Sequence, residues 1–159
     1  MEPDLFREIM ASFPSGVVVL TALGEDGRPY GLTVSAFSPV SLEPPLVLVC
    51  VDRTSNTLPA LRFARAFTVN ILAAGHHELA RRMATKAPDK FDSLGLAAAP
   101  VEGCGPVLAD HIAAFACCVL DQEIEAGDHL VFIGRVVAGE ARPGRTPLVY
   151  HRRAFVDLG

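Results

Sequence analysis

The stretch Val17-Val18-Val19-Leu20-Thr21-Ala22-Leu23-Gly24-Glu25-Asp26-Gly27-Arg28-Pro29-Tyr30-Gly31-Leu32-Thr33-Val34-Ser35 reads as two strands joined by a tight turn. Val17 to Leu23 is continuous and rich in β-branched residues, the pattern of a buried strand. Asp26-Gly27 then gives a strong hairpin signal, because glycine tolerates the positive φ that such turns demand. Tyr30 to Ser35 is the returning strand. Further extended segments are expected at Phe37 to Leu42, Leu46 to Val51, Phe67 to Leu72, Ile112 to Ile124 and His129 to Ala138. Shorter ones fall at Pro147 to Tyr150 and Ala154 to Val156. Helical spacing is confined to three places. These are residues 4–12, with Leu5, Phe6, Ile9 and Met10 on one face; the run from a capping Thr57 through Ala64, with Pro59 in its first turn; and residues 76–84. Pro88 to Pro106 is rich in Gly, Pro and Ala and is expected to be irregular. Six or seven strands with two or three helices predict an antiparallel barrel, mainly β with peripheral helices. Leu46 to Leu72 has the strand–helix–strand order of a βαβ unit, but a doubly wound sheet would need helices between nearly all strands.

A chain of 159 residues is expected to form one domain, residues 1–159, and can bury a sizeable core without a metal or disulfide staple. Half its residues are apolar and 20% are charged, which excludes intrinsic disorder. A net charge of −4 leaves no basic surplus for nucleic acid. The apolar runs are strand-length, far short of the ~20 residues that span a bilayer, so no membrane is expected. The acidic start Met1-Glu2-Pro3-Asp4 is unlike a signal peptide, and the expected location is cytoplasmic. Cys50, Cys104, Cys117 and Cys118 show no CxxC spacing and read as small buried apolar residues.

Three stretches imitate well-known motifs and fail on their context. Gly103-Cys104-Gly105-Pro106-Val107-Leu108 starts like a dinucleotide fingerprint but ends in Leu and lacks a flanking strand and helix. His77-Glu78-Leu79-Ala80-Arg81 ends in Arg where a zinc signature needs a second imidazole. No serine stands in a GxSxG elbow. His76, His77, His111 and His151 read as surface or turn residues.

Chemistry is concentrated in three blocks. Gly31 to Ser41 gathers hydroxyls and small side chains between apolar strands, so a flat ligand can approach the backbone donors and acceptors there. Thr54-Ser55-Asn56-Thr57, preceded by Arg53, stands where an anion meets free helix amides. His129 follows Gly127-Asp128 at a strand mouth, where an imidazole can touch a ligand. The same residues also suit an edge strand, an ordinary helix cap and a surface histidine. The run Ile112 to Leu120 suits burial on both faces, with either a partner subunit or the chain's own interior on the outer side.

Taken with Phe13-Pro14-Ser15-Gly16-Val17-Val18-Val19, Pro44-Pro45-Leu46-Val47, Phe67 to Leu72, Asp89-Lys90-Phe91 and Leu148-Val149-Tyr150, these blocks resemble the flavin reductase-like family over nearly the whole chain. The resemblance implies a split β-barrel, antiparallel with Greek-key-like order, that binds FMN or FAD. It implies oxidation of NADH or NADPH, usually in a homodimer, with reduced flavin passed to a partner monooxygenase. Residue by residue, Thr33, Val34, Ser35 and Ala36 match the segment against the isoalloxazine. Asp52, Arg53, Thr54, Ser55, Asn56 and Thr57 match the ribityl-phosphate loop. Phe91 matches an aromatic near the flavin, and His129 and Tyr150 match the nicotinamide side, His129 as the candidate catalytic residue. In such a reaction the cofactors exchange the hydride, which accounts for the lack of a triad, carboxylate pair or metal cluster in the sequence. The rival is a non-enzymatic flavin- or haem-binding split-barrel module. A pyridoxamine-phosphate oxidase-like activity ranks lower, because Lys86 and Lys90 are the only lysines available to grasp its substrate.

Overall fold

The computed structural model describes residues 1–158, in which seven strands roll into one antiparallel sheet. In chain order the elements are α1 (Pro3–Ala11), β1 (Ser15–Gly16), β2 (Val18–Leu23), β3 (Pro29–Val34), β4 (Phe37–Ser41), β5 (Leu46–Asp52), α2 (Leu58–Ala64), β6 (Ala66–Leu72), α3 (His77–Met83), β7 (Ile112–Ala126), β8 (His129–Ala141), β9 (Leu148–His151) and β10 (Ala154–Asp157), with a 3-10 turn at Ala109–His111 before β7. The large sheet has the order β3-β2-β6-β7-β8-β5-β4, and a small one has β1-β9-β10.

That order dictates the shape. β3 and β4 are the two outer edges of the sheet, yet only Ser35 and Ala36 lie between them in the chain. The three residue steps from Val34 to Phe37 span at most about 11 Å. The sheet must therefore curl until its edges meet, which gives a barrel with a seam at Ser35-Ala36. The edges do not ladder to one another. β3 pairs with β2 (Val18↔Val34, Leu23↔Pro29), while β4 pairs with β5 (Phe37↔Val49). The hairpin expected at Asp26-Gly27 is present, with Gly27 at φ +75° and its N–H donating to Gly24 O at 2.9 Å.

Inside the barrel Val18, Leu20, Val34, Val49, Leu61, Phe67, Val69 and Phe132 form the main core. A second core lies outside β2, β6 and β7, under α3 and the β9 edge, and includes Val17, Val19, Leu72, Met83, Leu108, Ile112 and Leu148.

Several expectations are revised. The run Leu46 to Leu72 is not a βαβ unit, since β5 and β6 lie three ladders apart and run antiparallel to each other. The outer side of Ile112 to Leu120 is covered by the chain itself, with Cys117 packed against Cys104 and Ala66. The irregular segment rich in Gly and Pro supplies that cover. Three buried polar side chains of the strands pin it: Thr21 and Thr68 donate to Pro106 O and Gly105 O at 2.8 and 2.6 Å, and Asn70 Oδ1 accepts from Leu108 N–H at 2.9 Å. Gly105 is needed there, because a Cβ would fall 2.2 Å from the backbone of Thr21. His76 and His111 are not simple surface residues: their rings meet edge to face, with Nδ1 atoms 3.1 Å apart. Finally, α1 is amphipathic but buries none of its residues against the rest of the chain. Among the described residues no helix is long and apolar enough to cross a membrane.

Candidate active site

At the seam the backbone has nothing to pair with. The Ser35 and Ala36 carbonyls accept from the Phe37 and Cys50 amides at 3.0 Å each, but the Ser35 and Ala36 N–H groups find no partner among the described residues. Both residues are exposed. A cleft of about 330 Å³ opens beside them, floored by Thr33 and Ser35 and walled by Tyr150 and Phe155, whose rings are 5.2 Å apart. A wider groove of about 880 Å³ continues from Ser35 past Ala36, Phe37 and Cys50 toward α1. Of the predicted ring-contact segment, then, Ser35 and Ala36 present backbone donors to solvent. Thr33 is tied down, its hydroxyl donating to Ala80 O at 2.5 Å, and Val34 points into the core.

The second predicted block is held by its own internal bonds. Asp52 Oδ1 accepts from both the amide and the hydroxyl of Thr54 at 2.7 Å. These bonds, the hydroxyl first, hold the Asp52 carboxyl below the usual carboxylate range. Ser55 Oγ accepts from the Thr57 amide at 3.1 Å, and Leu58 N–H donates to Ser55 O. Thr57 does not cap α2 through its side chain, as the sequence suggested; it is buried, and its own backbone is already helical. Pro59 has no N–H, so few helix amides remain for an anion. Arg53 is likewise engaged, its Nε donating to Gly127 O at 2.7 Å. Asn56 remains exposed.

The basic group missing from this loop arrives from elsewhere in the chain. Lys86, just beyond α3, donates from Nζ to Thr54 O at 3.0 Å and shares a cavity with Asn56, Thr57, Lys90 and Phe91. Phe91 packs beside Gly31, where a Cβ would meet Phe91 Cζ at 3.0 Å and Leu20 O at 2.6 Å, so glycine lets the aromatic ring close over the strand. Sequence spacing contained no signal for Lys86; only the return of the chain after α3 brings it to Thr54.

His129 pairs across the ladder with Asp52, and Arg53 N–H donates to Asp128 O, so the Gly127-Asp128-His129 turn abuts the 52–57 loop. Its Nδ1 lies 2.7 Å from Asp128 Oδ1, which orients the half-exposed ring. His129 borders neither the seam cleft nor the wider groove, both of which Tyr150 lines. The two residues read together from sequence as one side of the site therefore belong to different parts of it. Tyr150 belongs with the seam, and His129 with the 52–57 loop; α3 and the segment after it run from one to the other, Ala80 and Ala84 lining the seam cleft and Lys86 reaching the loop. Among the described residues no group of three His, Cys, Asp or Glu side chains is placed to hold a metal.

The arrangement offers unpaired backbone donors, aromatic walls and a basic loop about one barrel edge, which suits a flat, anionic, phosphate-bearing ligand. Comparison with known proteins agrees. Residues 10–159 match the family described as Flavin reductase like domain. The chain is 42% identical over 156 residues to the flavin reductase (NADH) of Kitasatospora aureofaciens, covering 98% of this chain and 81% of that protein. It is 41% identical to the reductase component of 4-nitrophenol 4-monooxygenase/4-nitrocatechol 2-monooxygenase from Rhodococcus opacus, covering 94% and 78%. Its structure resembles that of the NADH:FAD oxidoreductase SgcE6 of Streptomyces globisporus C-1027 in complex with NAD and FAD fragments, with a TM-score of 0.92, 31% identity, and 99% and 93% of the two chains covered.

Proposed function

The chain belongs to the flavin reductase-like family, and we infer from that membership that it is an NAD(P)H:flavin reductase, the component that supplies reduced flavin to a monooxygenase. Residues 1–159 act in this reading as one domain. The observation that carries the assignment of its site is the pair of unpartnered amides at Ser35 and Ala36 beside the aromatic cleft. Bound flavin supplies the hydride acceptor and reduced nicotinamide the donor, so no protein nucleophile is needed.

What remains for the protein is placement and electrostatics. The unpartnered Ser35 and Ala36 N–H groups, fixed in advance by the seam, would stabilise negative charge that grows on a bound ring system on reduction. The loop from Asp52 to Thr57, with Lys86 beside it, would hold the phosphate end; Ser55 and Asp52 keep the loop rigid, and Asn56 and Lys86 would meet the phosphate. Phe91 and Tyr150 wall the ring and exclude water, which strengthens every polar contact inside. His129, whose ring Asp128 orients, would position the donor.

NADH and FAD are the pair to test first, because the similar proteins above are described with them. Purified protein is mixed with NADH and FAD, then with NADPH and FMN, and the loss of reduced-nicotinamide absorbance is followed. Turnover above the uncatalysed rate supports the reading; none with any pair rejects it. We further propose a homodimer, with α1 and the adjoining groove as its interface, and a cytoplasmic location. All four cysteines are free, and burial pushes the Cys104 and Cys118 thiols up to about 11 and about 12, as suits a compartment that keeps thiols reduced.

A further inference from the structure

The hairpin between β9 and β10 turns in two residues, since His151 pairs directly with Ala154. Those two residues, Arg152 and Arg153, have φ of 48° and 63°. A two-residue hairpin with positive φ at both positions ordinarily takes Asn-Gly or Asp-Gly, because a Cβ is strained there. Two arginines in that place are a local conflict, and such conflicts collect where a ligand is held.

The side chains show where the conflict points. Arg153 lines the seam cleft opposite Arg81, whose guanidinium lies 5.4 Å over the Phe155 ring. Two guanidinium groups thus border one cleft whose lining contains no Asp or Glu, in a chain of net charge −4. Neither forms an ion pair among the described residues. On its outer side Arg153 also borders a cavity with Asp4 and Glu8, but Asp4 is spent on Arg7 at 2.9 Å. The inner cleft keeps two positive charges without a counterion.

We propose that Arg81 and Arg153 form a diphosphate clamp at the mouth of the seam cleft, holding the pyrophosphate of the nicotinamide dinucleotide. The proposal rests on the reductase reading and adds a subsite to it. Planar guanidinium groups bind phosphate oxygens in pairs, and the clamp stands apart from the 52–57 loop assigned to the flavin's own phosphate. That phosphate is half of FAD's diphosphate, so the diphosphate left for the clamp is the donor's.

The test is an equilibrium titration of the parent protein, Arg153→Gly and Arg81→Gln with NAD+, FAD and FMN, together with melting and native mass. Arg153→Gly is expected to raise Tm, since glycine relieves the strained turn. Either variant is expected to weaken NAD+ at least tenfold while FAD and FMN stay within twofold. The proposal is overturned if NAD+ binds as in the parent, or if FAD or FMN weakens as much as NAD+. It is also overturned if Arg153→Gly melts no higher than the parent, or if the only effect is a change of oligomeric mass. A parent that oxidises neither nicotinamide with any flavin rejects the reductase reading instead, and the titration still reads the clamp by itself.

Discussion

Asn70 sits mid-strand in β6 with no exposed surface, and its amide serves four groups. Nδ2 donates to Val19 O, Thr21 Oγ1 and Pro106 O at 3.2, 3.3 and 3.4 Å, while Oδ1 accepts from Leu108 N–H at 2.9 Å. Asn70→Leu removes all of these and leaves the buried Leu108 amide unsatisfied, so a loss of roughly 2–4 kcal/mol in denaturant unfolding is expected. From the sequence, Asn70 was one polar letter inside Phe67 to Leu72, and a strand pattern does not say which irregular segment will lie against its outer face. The same blindness hid Lys86. The Lys86 contact reaches across 32 residues of chain, whereas the role proposed for Ser35 and Ala36 rests on their own backbone amides and needs no distant partner. Lys86→Met is expected to weaken flavin binding about tenfold, the order of one charge-assisted hydrogen bond, and to flatten its salt dependence. Equal binding isotherms for parent and variant would remove Lys86 from the phosphate end. For His129→Ala the expected result is a raised KM for the nicotinamide donor with flavin affinity retained, and initial-rate kinetics at saturating flavin decide it.

At the scale of elements, the strands were legible because period-two and β-branched patterns are local, and the seam followed from sheet order, which no local pattern contains. The helix that matters most to the cleft, α3, is held at its start by His76, whose Nδ1 meets His111 Nδ1 at 3.1 Å. One of these nitrogens must donate and the other accept, so the pair cannot be doubly protonated without breaking. Burial, then the neighbouring His111 and Arg145, push His76 below its ordinary 6.5. The folded state therefore binds fewer protons than the unfolded chain in this range. Its stability is complete above the ordinary value and is lost as pH falls through the lowered one. Melting measured from about pH 8 to about pH 5 is expected to show Tm falling below about pH 6.5, with a shallower fall in His76→Gln. A variant profile parallel to the parent's would show that the pair has no part in the acid transition.

For the whole molecule, the unpaired apolar surface decides the assembly. Leu5, Phe6, Ile9 and Met10 of α1 are each about half exposed, and Phe13 is 76% exposed. Phe6, Met10 and Phe13 border the same groove as Phe37, Leu48 and Cys50, next to the seam. An apolar patch of this extent on a single chain is the surface on which the proposed dimer is expected to pack. The sequence located the amphipathic face of residues 4–12, and for Ile112 to Leu120 it left open a partner subunit or an internal strand; the chain itself covers that run. A second copy packed on α1 would close the groove beside Ser35 and Ala36, so assembly and activity are expected to fail together. Phe6→Ser with Phe13→Ser removes apolar area without touching the barrel core. The expected outcome is half the parent's mass in light scattering, an unchanged far-UV spectrum, and flavin affinity lower by tenfold or more. Monomeric parent protein, or a variant that stays dimeric, would sink the interface. A monomeric variant with full flavin affinity would show instead that one chain completes the cleft alone.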